Sequence, residues 1–272
     1  MIGRRLVNGV ETSAVSADDR GLQYGDGLFE TMAAVDGRVL HFGLHLERLM
    51  DSCQRLKLPQ PDATVIEEEC DRVLEDLGAG IVKLIVTRGS GPRGYRPPAE
   101  PAVTRIVASS AAQPRSDLAV PLVLRICATR LGLNPHLAGI KHLNRLEQVL
   151  ACAEWSDPAI AEGLMLTADG RLVAATAANL FLVRGRRVIT PEIRDCGVAG
   201  VMRRLVLETA PELGFETAIE DLEPASLAQA DEVFLSSAAR GIRPVGEVQG
   251  HGTWPVGAVT RAIAERIGGS AA

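Results

Sequence analysis

The 272-residue chain sets 34 Asp and Glu against 29 Lys and Arg, a net charge of −5, with 46% apolar residues. That balance suits a globular core spread over one large domain or two small ones. Without a basic stripe it excludes a nucleic-acid footprint, and no apolar run approaches the roughly 18 residues of a membrane span.

Arg4 and Arg5 are followed by no continuous apolar stretch, so no signal peptide is expected and the chain reads as soluble and cytoplasmic. Cys53, Cys70, Cys127, Cys152 and Cys196 are odd in number and scattered, without metal-ligand spacing. They read as reduced, buried thiols, and no metal site is expected.

Asp36-Gly37 is a hairpin signal, with a short strand expected over 38–42. Leu46, Leu49, Cys53 and Leu56 recur at helical spacing, so a helix is expected over 45–58, stopped by Pro59. A second helix is expected over 62–77, then strands over 81–87 and 105–109, separated by the glycine-rich loop 88–95. The polar stretch 110–117 marks a domain boundary, giving a smaller domain over 1–113 and a larger one over 114–272. The second should contain a strand over 122–129, a helix over 143–154 and a β-meander over 163–188. A helix over 201–213, a short strand over 233–236 and a terminal helix over 256–267 complete it. Runs of strands and helices without strict alternation give an α+β class.

Only three lysines occur: Lys57, Lys83 and Lys141. A lysine amine forms Schiff bases and moves protons, which a guanidinium does not. Lys141 follows a glycine and an isoleucine and precedes an apolar-periodic stretch; Lys57 ends an amphipathic helix, and Lys83 lies mid-strand. Glycines run into a helix start at Gly200-Val201-Met202, where backbone N–H groups can seat a phosphate. Arg48 either snorkels from the edge of an apolar helix face or clamps an anion. Arg88, Arg93 and Tyr95 share one loop that is able to bind carboxylates. A lysine, a phosphate seat and a carboxylate clamp are the parts of a pyridoxal phosphate (PLP) enzyme acting on an amino substrate.

Four segments make the pattern specific: Tyr24-Gly-Asp-Gly27 with Leu28-Phe29-Glu30, His45-Leu-Glu-Arg48-Leu49, Thr87 to Tyr95, and Asn134 to Gln148 around Lys141. Ala178-Asn-Leu-Phe181 and Gly200-Val-Met-Arg203 add to them. Together they resemble the fold-type IV PLP enzymes, the group of branched-chain and D-amino-acid transaminases. The Lys141 segment is similar to the lyase subgroup rather than the transaminases. The resemblance implies two α/β domains with PLP in the cleft between them, a homodimer, and a small-molecule substrate. The implied activity is proton abstraction and β-elimination that yields p-aminobenzoate and pyruvate. It implies that Lys141 carries PLP covalently and then moves protons, and that Arg48, the backbone of Val201 and Met202, and Ser237 hold the phosphate. It places Arg93, Tyr95 and Phe29, with Arg88, around the substrate.

One position departs from that group. The glutamate expected to face the pyridine nitrogen, five residues before Asn179, is Ala174, and no Asp or Glu occurs from 171 to 191. Thr176, on the same face if the segment is extended, is the candidate replacement. The departure keeps two other readings open, a transaminase of the same fold and a PLP-binding chain without turnover.

Overall fold

Leu28, Met32 and Ala34 alternate along one strand, and Leu49, Cys53, Ile66 and Cys70 recur along two helices; together they form one core. The computed structural model describes residues 2–112 and 118–269. Two compact units emerge: one of residues up to 112 with Ile140–Asn144, and one of 118–139 with 145–269. The expected boundary at 113/114 lies outside the described residues. The single cut, however, assigned Lys141 to the second half, whereas its segment packs with the first unit.

The first unit runs β1 (Ile2–Val7), β2 (Val10–Glu11), α1 (Arg20–Tyr24), β3 (Gly27–Val35), β4 (Arg38–Val39), α2 (Phe42–Leu56), α3 (Ala63–Leu74), β5 (Ala79–Thr87) and β6 (Thr104–Ala111). Its strands form an antiparallel sheet in the order β2-β1-β6-β5-β3-β4. Leucines and valines on one face of β3 and β5 pack under α2 and α3. Each such side chain contributes about 1.5–3 kcal/mol when fully buried. Helix α2 begins three residues before the expected start, because the chain turns at Leu40 and His41 and Phe42 packs onto the core. It ends on Lys57 in the left-handed region, φ 52°. Asp62 caps α3 by accepting from the Thr64 and Val65 N–H groups.

The second unit runs β7 (Leu122–Leu131), α4 (Leu146–Cys152), β8 (Ile160–Thr167), β9 (Leu172–Ala175), β10 (Asn179–Arg184), β11 (Arg187–Pro191), α5 (Val201–Glu212) and β12 (Glu216–Glu220). A 3₁₀ turn (Pro224–Gln229), β13 (Glu232–Ser237), β14 (Gly241–Val248), β15 (Gly252–Thr253) and α6 (Ala258–Gly269) follow. Its sheet has the order β12-β11-β10-β13-β14-β7-β8-β9, with β15 on β14. The expected meander is therefore broken: β9 pairs only β8 in this ladder, and β10 pairs β11 and β13. A tight turn at Ala175–Ala178, closed by a 2.8 Å bond from the Ala175 N–H to the Ala178 carbonyl, redirects the chain. Sheet residues on one face form a core around Leu124, Leu164, Leu182 and Leu235. Phe181 and Phe234, stacked 4.9 Å apart on the other face, pack with α5 and α6.

Four cysteines are buried and Cys152 is exposed, against the expectation of burial for all five. Burial pushes the Cys70 thiol up to about 12 and Cys53, Cys127 and Cys196 to about 11. Among the described residues no helix is long and apolar enough to cross a membrane.

Candidate active site

In the first unit, the segment carrying Lys141 is stitched to the start of β3. The Phe29 N–H donates to the Lys141 carbonyl and the Leu143 N–H to the Gly27 carbonyl, each at 3.0 Å. Ile140 anchors the segment in the core at 0% exposure. Asn144 donates to the Gly25 carbonyl at 3.2 Å, and a Cβ on Gly25 would lie 2.5 Å from the Asn144 Oδ1. Two of the motif segments, 24–30 and 141–144, thus meet. Half-buried Lys141 places its Nζ 4.2 Å from the centroid of the Phe29 ring. The helix expected from 143 starts only at Leu146, so an irregular, hydrogen-bonded stretch, not a helix start, holds the lysine. Lys83, exposed on β5, lies 5.5 Å from the same ring.

Glu30 lies on the core side of β3, where a carboxylate needs partners. His45 Nδ1 lies 2.6 Å from its Oε2, Arg48 Nε donates to its Oε1 at 2.8 Å, and Arg48 Nη2 donates to its Oε2. Burial pushes the Glu30 carboxyl up, but the His45 hydrogen bond and the Arg48 charge outweigh it and leave it below the usual carboxylate range. Arg48 is thereby held in a fixed orientation.

The loop 88–95 divides in role. Arg88 is buried; its Nε donates to Asp26 at 2.8 Å, and its Nη1 and Nη2 donate to the Lys57 and Leu56 carbonyls at 2.7 and 3.0 Å. It closes the C-terminus of α2, where no glycine cap exists, and this corrects its assignment to substrate binding. Arg20 holds the loop by donating to the Gly94 and Tyr95 carbonyls. Arg93 is exposed, and so is Tyr95 at 86%.

In the second unit, Val201 and Met202 open α5, whose N-cap Gly200 supplies no side chain. The first N–H groups of such a helix have no intrahelical acceptor. The buried Arg203 pins this turn to Thr190 and the Pro191 carbonyl, and Asn179 donates to the Val198 carbonyl at 2.9 Å. A Cβ on Gly200 would lie 2.1 Å from the Asn179 Oδ1, which explains the glycine. Ser237 ends β13, and its neighbour Ser236 is buried with an Oγ that finds no hydrogen-bond partner. Ser237 lines a small depression with Leu122, Glu162, Ala178, Arg240 and Arg243.

Thr176 is not in an extended segment beside Ala174; β9 ends at Ala175 and Thr176 occupies a bend. Its hydroxyl donates to Oε2 of Glu162 from β8, which also accepts the Ala177 N–H at 3.1 Å. No carboxylate stands within 171–191; the fold brings one from the neighbouring strand β8. A lone glutamate in the apolar run 160–167 is the signal that could have found it, as Glu30 in the run 27–35 could have been found.

The chain matches the amino-transferase class IV family over residues 27–248. It is 38% identical over 263 residues to an aminodeoxychorismate lyase of Vibrio harveyi, covering 94% of this chain and 97% of that protein. It superposes on the crystal structure of 4-amino-4-deoxychorismate lyase from Pseudomonas aeruginosa with a TM-score of 0.91 and 46% identity, over 97% of each chain. The branched-chain amino acid aminotransferase of Escherichia coli matches at a TM-score of 0.87 and 25% identity, over 100% of this chain and 95% of that one. A lysine held by β3, an uncapped glycine-led helix start, and a family match spanning both units lead to one conclusion: the chain belongs to the amino-transferase class IV family.

Proposed function

We propose that this chain is a PLP-dependent aminodeoxychorismate lyase, releasing pyruvate and p-aminobenzoate. The observation that carries the reading is Lys141, held on β3 with its amine over Phe29, in a chain 38% and 46% identical to two such lyases. The residues present fit the cofactor. The α5 start offers N–H donors and a helix dipole to a phosphate, and the buried Ser236 hydroxyl, which has no hydrogen-bond partner, lies on the face of β13 that packs with α5 through Phe234. Val201, Met202, Ser237 and Arg48 would hold the phosphate, and Lys141 the aldehyde carbon.

When bound, PLP withdraws electrons from the carbon that bears the substrate amine. The Lys141 amine removes the proton from that ring carbon. Expulsion of the adjacent enolpyruvyl ether leaves an aromatic ring, and the released enolpyruvate takes up a proton to become pyruvate. Arg93 and Tyr95 would orient substrate carboxylates, and Phe29 would form a wall beside the lysine. Aromatisation supplies driving force, so a chain with alanine at position 174 can run this elimination. Transamination lacks that driving force.

The family's homodimer is part of the reading. Leu146, Val149 and Leu150 stand 60–76% exposed on one face of α4, a stripe suited to a second copy. The same reading places the chain in the cytoplasm.

Borohydride reduction followed by peptide mapping should put the pyridoxyl group on Lys141, and aminodeoxychorismate should yield pyruvate stoichiometrically. A tag on Lys57 or Lys83, or a yellow protein that releases no pyruvate, would sink the reading. Conversion of an amino donor to its keto acid at comparable rate would favour a transaminase instead.

A further inference from the structure

The geometry points to Glu162 acting through Thr176 as a positioning pair that keeps the pyridine nitrogen of the cofactor protonated, in place of the carboxylate that Ala174 does not supply. This rests on the PLP reading above. It concerns the polarity of one hydroxyl.

A threonine hydroxyl has one proton and two acceptor lone pairs. The Thr176 proton is directed at Glu162 Oε2, which also takes the Ala177 N–H. What Thr176 presents outward is therefore an acceptor. An acceptor matches a protonated ring nitrogen; an unprotonated one needs a donor, which Thr176 could provide only by breaking its bond to Glu162. The carboxylate further polarises the hydroxyl, as one hydrogen bond strengthens the next in a chain. Glu162 is 9% exposed and Thr176 half-buried, so the pair lies at the edge of the interior. Glu162, which accepts from Thr176, and Ala178, two residues further along the chain, line the same depression as Ser237.

By itself position 176 offers only a neutral hydroxyl in place of the missing glutamate. The structure makes it the relay of a buried carboxylate instead. The nitrogen then stays protonated without a direct ion pair.

A purely structural account is that Glu162 only staples the turn at Ala175–Ala178. The ring nitrogen reports the difference directly. Protein loaded with ¹⁵N-labelled PLP would be followed by ¹⁵N NMR from pH 6 to 9, in the unsubstituted chain, Thr176→Val, Thr176→Ser and Glu162→Gln. The expected result is a protonated nitrogen in the unsubstituted chain and in Thr176→Ser. In Thr176→Val its protonation equilibrium should fall by about tenfold or more, which is about one pH unit. Glu162→Gln should lie between. Thermal melts show whether each variant is folded; should Glu162→Gln not fold, the Val and Ser pair decides alone. A nitrogen that is unprotonated in the unsubstituted chain, or equally protonated in Thr176→Val, overturns the proposal and leaves the lyase reading standing. Failure to load PLP on Lys141 overturns both.

Discussion

Glu30 is 2% exposed and Arg48 and His45 are its partners, so the three stand or fall as a unit. Glu30→Gln removes the buried carboxylate that Arg48 and His45 share and should cost about 3 kcal/mol. Because the folded carboxyl lies below its ordinary value, its contribution is present above the unfolded pKa of about 4.3 and is lost as pH falls through the folded value. Urea melts from pH 7 to pH 3 should therefore show the gap between the parent and Glu30→Gln narrowing as the solution is acidified. A gap that stays constant to pH 3 would exclude this ionised unit. At the same scale the two loop arginines should separate. Arg88→Ala removes a buried pair with Asp26 and the cap of α2, and should lower stability by about 3 kcal/mol. Arg93→Ala should leave the melting temperature alone and raise KM for the substrate. Sequence alone could not tell these residues apart, because both stand in one glycine-rich loop. The difference is that Arg88 turns inward to the end of α2.

Among the elements, α5 carries the most specific demand. Its glycine-led start is legible from Gly200-Val201-Met202, but the reason for the glycine is not. The reason is Asn179, from the start of β10, whose side chain occupies the place of a Cβ. Gly200→Ala should shift that turn, cost about 1–3 kcal/mol, and weaken retention of PLP. Thermal unfolding with and without PLP, and cofactor loss followed by absorbance during dialysis, check both. A variant with parental stability and retention would refute the close approach. Helices α2, α3, α5 and α6 were readable from apolar periodicity and punctuation, since an amphipathic helix announces its buried face locally. The break between β9 and β10 was not: two strands adjacent in sequence were separated by long-range pairing.

For the whole molecule, the lyase reading carries a quaternary expectation. An apolar stripe of Leu146, Val149 and Leu150 on α4 is costly to leave in water. Sedimentation should show a dimer, and Val149→Asp with Leu150→Asp should shift it toward monomer. A parent chain that sediments as a monomer at micromolar concentration would reject the dimer. What the amino-acid order determined by itself was the α+β class, most helices, and Lys141 as the candidate lysine. Those are written in local spacing and in residues whose chemistry has few substitutes. Only the tertiary structure decided that Lys141 belongs with β3 although its neighbours in the chain fold elsewhere. It also decided that Arg88 serves the scaffold and that Thr176 leans on Glu162. Each of these depends on contacts between residues far apart in sequence, made only once strands have chosen their partners, and no local pattern encodes that choice.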